Sequence, residues 1–450
     1  MKRVFIETLG CSKNLTDSEI MLGLLDDAYA LSDDVNEAEI IIVNTCSFIH
    51  DAKEESIQAI LELARLKEDA ACEKLIVTGC LSQRYPDALL EEIPEIDAIV
   101  GTSNFFEITD VVKTLYDPLK NKQKVYMKHV DIDIPEALPR ILTTPKHYAY
   151  LKISEGCDNR CTYCIIPKLR GKYRSRRIED IVEEARDLAE LGVKELMIIA
   201  QDTSRYGIDL YGDPKLDVLL TELSKIEQLK WIRVHYSYPD ILDDQLLAGF
   251  FKNEKVVNYF DIPVQHASDR ILKLMNRKTT LKDIQSIISK IRENDSDSVI
   301  RTTVIVGFPG ETEEDFEILM NFAKDTRFDR LGAFEYSDEE DTPAMLLPNK
   351  VESEIMRSRK ERLMEMQMYI SEELSYSKIG KIFDVVIEEV AEDGKILVGR
   401  TAFDAPEIDG VVYVHTDKPL EMGTFIKVKI TDALEYDLIG VIADENEYRQ

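Results

Sequence analysis

Three cysteines fall within eight residues, Cys157, Cys161 and Cys164, at the spacing C-x3-C-x2-C with Tyr163 just before the last. Thiolates are the ligands of iron–sulfur clusters, usually four to a cluster. Three clustered thiolates leave one iron without a nearby protein ligand, and an open metal position is where substrate or cofactor binds. A zinc site is the bland alternative. Zinc favours paired C-x2-C units, or a C-x2-C with a His pair, and no such mate lies close by. A chance cluster is less favoured still, because the chain has only seven cysteines.

Three of the others share a position rather than a spacing. Cys11, Cys46 and Cys80 each follow an apolar run that reads as a buried strand: Val4–Leu9, Glu39–Asn44 and Lys74–Thr78. In an open parallel sheet the carboxyl ends of the strands meet at one edge, where ligands bind. Three cysteines far apart in sequence would therefore converge. Buried apolar cysteines are common in cores, but the repeated strand-then-Cys placement favours a second three-thiolate set. Cys72 lies in a polar connection and is given no role.

The elements that must position these residues fall into three stretches of the 450-residue chain. Residues 1–135 alternate short apolar strands with helical patterns such as Asp17–Leu25 and Ala52–Leu66, which predicts a parallel sheet. Tyr116–Lys146 is polar and carries Pro118, Pro135, Pro139 and Pro145, and reads as a linker. Residues 143–374 repeat a strand-then-helix unit, with strands at Ala149–Ile153, Glu195–Ala200, Trp231–His235, Tyr259–Val264, Val299–Val306 and Leu331–Tyr336. Six units suggest an open partial barrel, too few for the eight-unit closed form. Function in such folds sits on the loops after the strands, and the Cys157–Cys164 loop follows the first. Gly307-Phe308-Pro309-Gly310 follows the fifth and Gln201-Asp202-Thr203-Ser204 the second, placing both on the same edge. Val351–Tyr376 reads as a charged connecting helix whose Met residues pack. Residues 376–447 turn to short strands between Asp393-Gly394, Asp409-Gly410 and Met422-Gly423, a small antiparallel β-barrel. The fold class expected is thus α/β: a parallel-sheet domain, an open six-unit (βα) partial barrel, and a small β-barrel.

Composition narrows the functions. The net charge is −30, from 56 basic and 86 acidic residues, a poor balance for a general nucleic-acid binder. Small barrels often bind oligonucleotides, but residues 378–450 carry 8 Lys/Arg against 16 Asp/Glu. Such a field would steer basic partners, or the acidity simply keeps the chain soluble, and charge alone does not choose between these. No apolar run approaches membrane-spanning length, Glu7 breaks the initial apolar run as no signal peptide would, and an odd cysteine count argues against a disulfide framework. A reducing cytoplasm is the expected location. The basic run Lys168, Arg170, Lys172, Arg174, Arg176, Arg177 stands out. Three readings compete: an RNA contact, a carboxylate clamp, and a solvated loop paired with nearby acids. Arginine suits carboxylates, and one of Arg170, Arg174 or Arg176 is expected to meet a carboxylate in the site.

The C-x3-C-x-Φ-C loop after the first strand of a six-unit barrel resembles the radical S-adenosylmethionine (AdoMet) enzymes. Gly10-Cys11-Ser12-Lys13-Asn14, Asn44-Thr45-Cys46 and Gly79-Cys80 resemble their methylthiotransferase subfamily, and the C-terminal unit resembles a TRAM domain. Lys152–Cys157, Ala200–Thr203, Pro263–His266 and Asp404–Gly410 look most like the branch that modifies an aspartate of ribosomal protein S-twelve. The resemblance implies that Cys157, Cys161 and Cys164 hold a [4Fe-4S] cluster whose free iron binds AdoMet. It implies that Tyr163, Gly307 and Pro309 line the AdoMet site. It further implies a second [4Fe-4S] cluster on Cys11, Cys46 and Cys80 that delivers a methylated sulfur to the β-carbon of the aspartate. Implied partners are the basic protein S-twelve or the small ribosomal subunit, and an electron donor such as flavodoxin or ferredoxin. One departure is Asp341, in Tyr336–Ala344, where the family usually has Gly. Two rivals remain: a tRNA adenosine methylthiotransferase, disfavoured by the acidic C-terminal unit, and a non-catalytic iron–sulfur or zinc-binding sensor or scaffold.

Overall fold

The computed structural model describes residues 1–119, 124–391, 395–416 and 420–444. The expected turn at Asp393-Gly394 lies outside them. The N-terminal sheet is wholly parallel, in the order Ala30–Leu31, Arg3–Thr8, Ile40–Thr45, Lys74–Gly79, Ala98–Val100, Val125–Tyr126. Ile40–Thr45 is buried along its whole length, as a central parallel strand covered on both faces must be. The helices Ser12–Asp26 and His50–Ala64 follow the strands that precede Cys11 and Cys46.

The second sheet runs Arg330–Glu335, Val299–Val306, Val256–Asp261, Trp231–Val234, Glu195–Ile199, Tyr148–Lys152, again all parallel and open between its first and last strands. Its covering helices start where the sequence supplies caps. Thr280 with Asp283, and Thr312 with Asp315, each form a reciprocal capping box at the head of Leu281–Asn294 and Glu313–Thr326. Helix Ser353–Tyr376 then packs along strand Arg330–Glu335 and helix Glu313–Thr326.

The last five strands close into a barrel, in the order Ile382–Val390, Ile396–Thr401, Val412–His415, Leu438–Ile442, Phe425–Ala433. Four of its pairings are antiparallel, and Val412–His415 with Leu438–Ile442 is parallel. This unit docks on the amino-terminal ends of the open barrel's strands, away from the cysteine loop. Tyr259 Oη donates to Asp409 Oδ2 (2.6 Å) and Tyr148 Oη to Glu407 Oε1 (2.9 Å). Arg330 pairs with Asp404 and lies 3.7 Å from Asp409. Glu195, wholly buried, is clamped between Arg233 (3.0 Å) and Arg400 (2.6 Å). The run Asp404–Gly410 is therefore a stopper for the barrel floor.

The Tyr116–Lys146 connection is not the free linker its prolines suggest. Val125–Tyr126 adds an edge strand to the first sheet. Arg140 then joins Glu19 of helix Ser12–Asp26 (2.6 Å) to Glu184 of helix Ile178–Glu190 (2.8 Å). The chain passes so close to the helix that a Cβ at Gly23 would lie 2.4 Å from the Pro139 carbonyl oxygen. Prolines here fix an extended strap rather than a hinge.

Asp341 adopts φ +66°, the left-handed conformation in which glycine is at ease. The turn is kept because Asp, like Asn, tolerates that region better than most L-residues. Asp341→Gly should change unfolding free energy by less than about 1 kcal/mol, whereas Asp341→Val should cost about 1–2 kcal/mol; urea titration separates the two. Arg330→Met removes the cation beside buried Asp404 and should cost about 3–5 kcal/mol, read as loosening of residues 379–443 in limited proteolysis and denaturant unfolding.

Candidate functional site

The two cysteine-bearing regions meet at Cys80, which packs against Ile165 and Leu169 just after the Cys157–Cys164 loop. Cys11 is exposed, while Cys46 and Cys80 are buried. The three come together: a Cβ built at Gly10 would meet Cys46 Sγ at 2.9 Å, and Cys11 and Cys46 both act electrostatically on Cys80. Gly10 has φ +89° and Gly79 φ +94°, and a Cβ at Gly79 would strike the Thr45 carbonyl at 2.4 Å. Glycine before Cys11 and Cys80 is what lets the three strand ends approach. Burial pushes the Cys80 thiol up to about 12, and the neighbouring Arg170 guanidinium pulls against it. Cys72 is buried beside Lys74 and takes no part in either set.

The Cys157–Cys164 loop is fastened from four sides. Cys157 N donates to the Gly171 carbonyl (3.1 Å), and Thr162 bonds the Met275 and Leu274 carbonyls through N (3.1 Å) and Oγ1 (2.8 Å). Ala344 N donates to the Thr162 carbonyl (2.9 Å). Asn159 is gripped by Asp202 (2.7 Å) and by Arg205 (2.9 Å). The Gln201–Ser204 loop and the adjoining Arg205 thus position the cysteine loop. Gly156 has φ +79°, and a Cβ there would sit 2.0 Å from the Lys172 carbonyl oxygen. Burial pushes the Cys157 thiol up to about 12. Cys161 Sγ lies 3.2 Å from Tyr238 Oη, and the Arg277 guanidinium stacks 3.7 Å from the Tyr238 ring centre. Among the described residues, no three His, Cys, Asp or Glu side chains are gathered as a single metal ion would need.

Tyr163 packs in one apolar cluster with Phe308, Met275, Tyr336 and Met356, so the structure brings it to the loop that carries Gly307 and Pro309. Gly307 has φ +75°, and a Cβ there would lie 2.1 Å from Met356 Cγ. That loop is anchored by Glu311, whose Oε2 accepts from Phe308 N (3.1 Å) and whose Oε1 pairs with Arg359 (2.8 Å). Two non-glycine residues on the same edge, Tyr236 (φ +60°) and Gln265 (φ +69°), hold left-handed conformations. Such strain clusters at functional edges.

A buried ionic knot joins the two sets. Arg170 Nη1 pairs with Asp17 (2.7 Å) and Glu155 (3.2 Å), and Nη2 donates to Asn14 Oδ1 (2.6 Å) and lies 3.9 Å from Cys80 Sγ. Lys152 pairs with Asp17 and with Glu155 (2.9 Å), and Gln201 donates to Glu155 Oε1 (2.7 Å). Burial would raise the Glu155 carboxyl, but Lys152, Arg170 and Gln201 together hold it well below the usual range. Arg174 pairs with Asp131 and Arg176 with Glu136 and Glu184. Arg170, Arg174 and Arg176, one of which was expected to meet a site carboxylate, are thus all engaged by the protein's own acids. A cleft of about 590 Å³ runs beside the knot, walled by the strap at Asp133–Arg140, by Lys152 and Glu155, and by Arg174–Arg177.

A second bridge follows the last strand. Glu339 binds Lys53 (2.8 Å) and Arg84 (2.7 Å), on the helices that follow Cys46 and start at Cys80. Neither this bridge nor the knot shows in the sequence, because the pairs that cross between the two sheets, such as Asp17 with Lys152 and Lys53 with Glu339, lie 135 and 286 residues apart.

The comparisons agree with this geometry. Residues 151–323 match the Radical SAM superfamily, residues 3–101 the uncharacterized protein family UPF0004, and residues 379–443 the TRAM domain. The chain is thus of the radical AdoMet class, with a UPF0004 unit before the barrel and a TRAM unit after it. Ribosomal protein uS12 methylthiotransferase RimO of Clostridioides difficile (strain 630) is 54% identical over 99% of this chain and 100% of the relative. The proteins of that name from Clostridium botulinum (strain Eklund 17B / Type B) and Caldanaerobacter subterraneus subsp. tengcongensis are 50% and 52% identical, covering 99% and 98% of this chain and 99% and 100% of theirs. This chain belongs to the uS12 methylthiotransferase RimO family. Among solved structures, the radical AdoMet methyltransferase TsrM from Kitasatospora setae with cobalamin and a [4Fe-4S] cluster bound superposes with TM-score 0.57 at 16% identity, over 76% of this chain and 77% of that one. The cobalamin-dependent radical enzyme OxsB superposes with TM-score 0.51 at 14% identity, over 82% and 56%. These two show the shared fold.

Burial raises the Glu339 carboxyl, but its bonds to Lys53, Arg84 and Ser337 outweigh this and leave it below the ordinary 4.5. A lowered folded value means the bridge stabilises fully above pH 4.5 and is lost as pH falls further. Glu339→Gln should flatten that acid limb of stability, measured by thermal unfolding from pH 7 to 3.5.

Proposed function

We propose that this chain methylthiolates the β-carbon of an aspartate in ribosomal protein uS12. Cys157, Cys161 and Cys164 would hold one [4Fe-4S] cluster, and Cys11, Cys46 and Cys80 a second. Each donor set fits: three thiols placed just past the carboxyl ends of strands, of which Cys46, Cys80, Cys157 and Cys164 sit where burial penalises a thiolate unless a cation compensates. The observation that supports the reading is that Cys80 packs on Ile165 and Leu169, which directly follow the Cys157–Cys164 loop, with Arg170 3.9 Å from its sulfur. When bound, the clusters and AdoMet supply radical hydrogen abstraction and a methylated sulfur.

The chain's own residues do the rest. Asp202 and Arg205 hold Asn159 and so fix the first loop. Tyr238 Oη is placed to hydrogen-bond Cys161 and Arg277 to lend it positive charge, while Arg170 does the same for Cys80. Hydrogen bonds and charges at cluster thiolates tune their potential. Tyr163, Gly307 and Pro309 line the AdoMet site, and the apolar cluster around Phe308 keeps water from it. Residues 1–135, 143–374 and 376–447 act as methylthiotransferase, radical AdoMet and TRAM units.

No helix among the described residues is long and apolar enough to cross a membrane, and we place the protein in the cytoplasm, with flavodoxin or ferredoxin as donor. The C-terminal unit, with 8 Lys/Arg against 16 Asp/Glu, is a poor surface for phosphate-rich RNA, which argues against tRNA as acceptor.

Anaerobically reconstituted protein should contain about eight irons per chain, four to each cluster. Replacing Cys157, Cys161 and Cys164 by Ala should abolish both deoxyadenosine release and modification of uS12. Replacing Cys11, Cys46 and Cys80 by Ala should spare deoxyadenosine release and abolish the mass gain on uS12. Methylthiolation of bulk tRNA, with uS12 untouched, would overturn the assignment.

A further inference from the structure

The acceptor of the proposed reaction carries a carboxylate on the very carbon that is modified. Bringing that charge into a site shielded from water requires a cation to receive it. Most cations around the meeting of the two cysteine-bearing regions are committed. Arg170 and Lys152 share Asp17 and Glu155; Arg174 has Asp131; Arg176 has Glu136 and Glu184; Lys53 and Arg84 have Glu339. Arg205 has Asp202 and Asp240, and Arg277 donates to the Pro263 carbonyl beside Cys161.

Lys13 is different. Its residue is only 7% exposed, yet among the described residues neither a carboxylate nor a hydrogen-bond acceptor holds its ammonium. The Nζ rests on the face of Tyr236, 3.2 Å from the ring centre. Tyr236 stands just past the carboxyl end of strand Trp231–Val234, in the strained conformation noted above. Leu15, two residues on, packs with Tyr148, Tyr150, Met197 and Ile199, so this turn of helix faces the open barrel's inner wall. Lys13 is also two residues from Cys11, at the start of helix Ser12–Asp26, whose first turn has no acidic residue and whose N-cap side chain makes no bond. The positive end of the helix dipole therefore adds to the ammonium.

We propose that Lys13 receives the side-chain carboxylate of the acceptor aspartate, moving off the Tyr236 ring to do so, and thereby selects an acidic acceptor. The inference rests on the function proposed above. It is tested with cluster-loaded protein and two peptides of the uS12 acceptor segment, one with the target Asp and one with Asn there. Wild type should bind the Asp peptide better. Lys13→Met should weaken the Asp peptide about thirtyfold or more, mainly in KM, leave the Asn peptide within about twofold, and keep its iron. Lys13→Arg should retain the preference for Asp. Equal loss for both peptides, or loss for neither, overturns the proposal. If Lys13→Met sheds iron, Lys13→Gln replaces it, and iron loss there too assigns Lys13 to the fold and overturns the proposal. A wild-type protein that keeps eight irons but ignores both peptides and intact uS12 instead refutes the reaction itself.

Discussion

Two carboxylates and two cations buried in one place set the geometry of this molecule. Asp17, Lys152, Glu155 and Arg170 are all less than 7% exposed. Taking such charges from water is expensive and is offset only where the geometry is near ideal and remaining hydrogen-bond positions are filled. Here they are filled: Asn14 takes the second Arg170 nitrogen and Gln201 the second Glu155 oxygen. Because Asp17 comes from the N-terminal helix and the other three charges from the barrel, the knot is satisfied in one relative placement of the two sheets. That placement brings Cys80 against Ile165 and Leu169, just after the Cys157–Cys164 loop.

The peripheral contacts reinforce the same arrangement. The Pro-containing strap fastens helix Ser12–Asp26 to helix Ile178–Glu190 through Arg140, and Glu339 fastens the end of the last strand to the helices behind Cys46 and Cys80. The C-terminal unit works from the far side, filling the barrel floor with carboxylates that meet Arg330, Tyr259 and Tyr148. Charge excess in this chain is thus partly structural: several of its acids neutralise arginines inside the molecule.

Much of this was legible in the sequence, for identifiable reasons. Continuous β-branched runs such as Ile40–Val43 announce buried parallel strands, and each run ends where its cysteine begins. Strand Val299–Val306 has the bounds that its pattern predicts. The two-residue strands Ala30–Leu31 and Val125–Tyr126 carry too few residues for any period to show. The strap read as a linker because Pro and polar residues signal loops, while its anchoring depends on Glu19 and Glu184, whose nearness no local pattern encodes. The arginine run was expected to put one member on a site carboxylate, but Arg170, Arg174 and Arg176 pair with the protein's own acids, since pairing is decided by tertiary distance. Lys13 was invisible as a special residue: a lysine on a helix is ordinarily solvated, and only burial without an acid sets it apart.

The matched segments 3–101 and 151–323 invite the view that this protein is built of interchangeable cassettes. The hidden junction says otherwise. Asp17 belongs to the first segment, and Lys152, Glu155 and Arg170 to the second. A hybrid that joins the central cassette to a foreign leading one must supply an anion at that spot, or strand two positive groups with a single negative one in dry protein. Successful recombination among such chains is therefore ruled by charge parity at an unseen contact, not by where sequence homology stops.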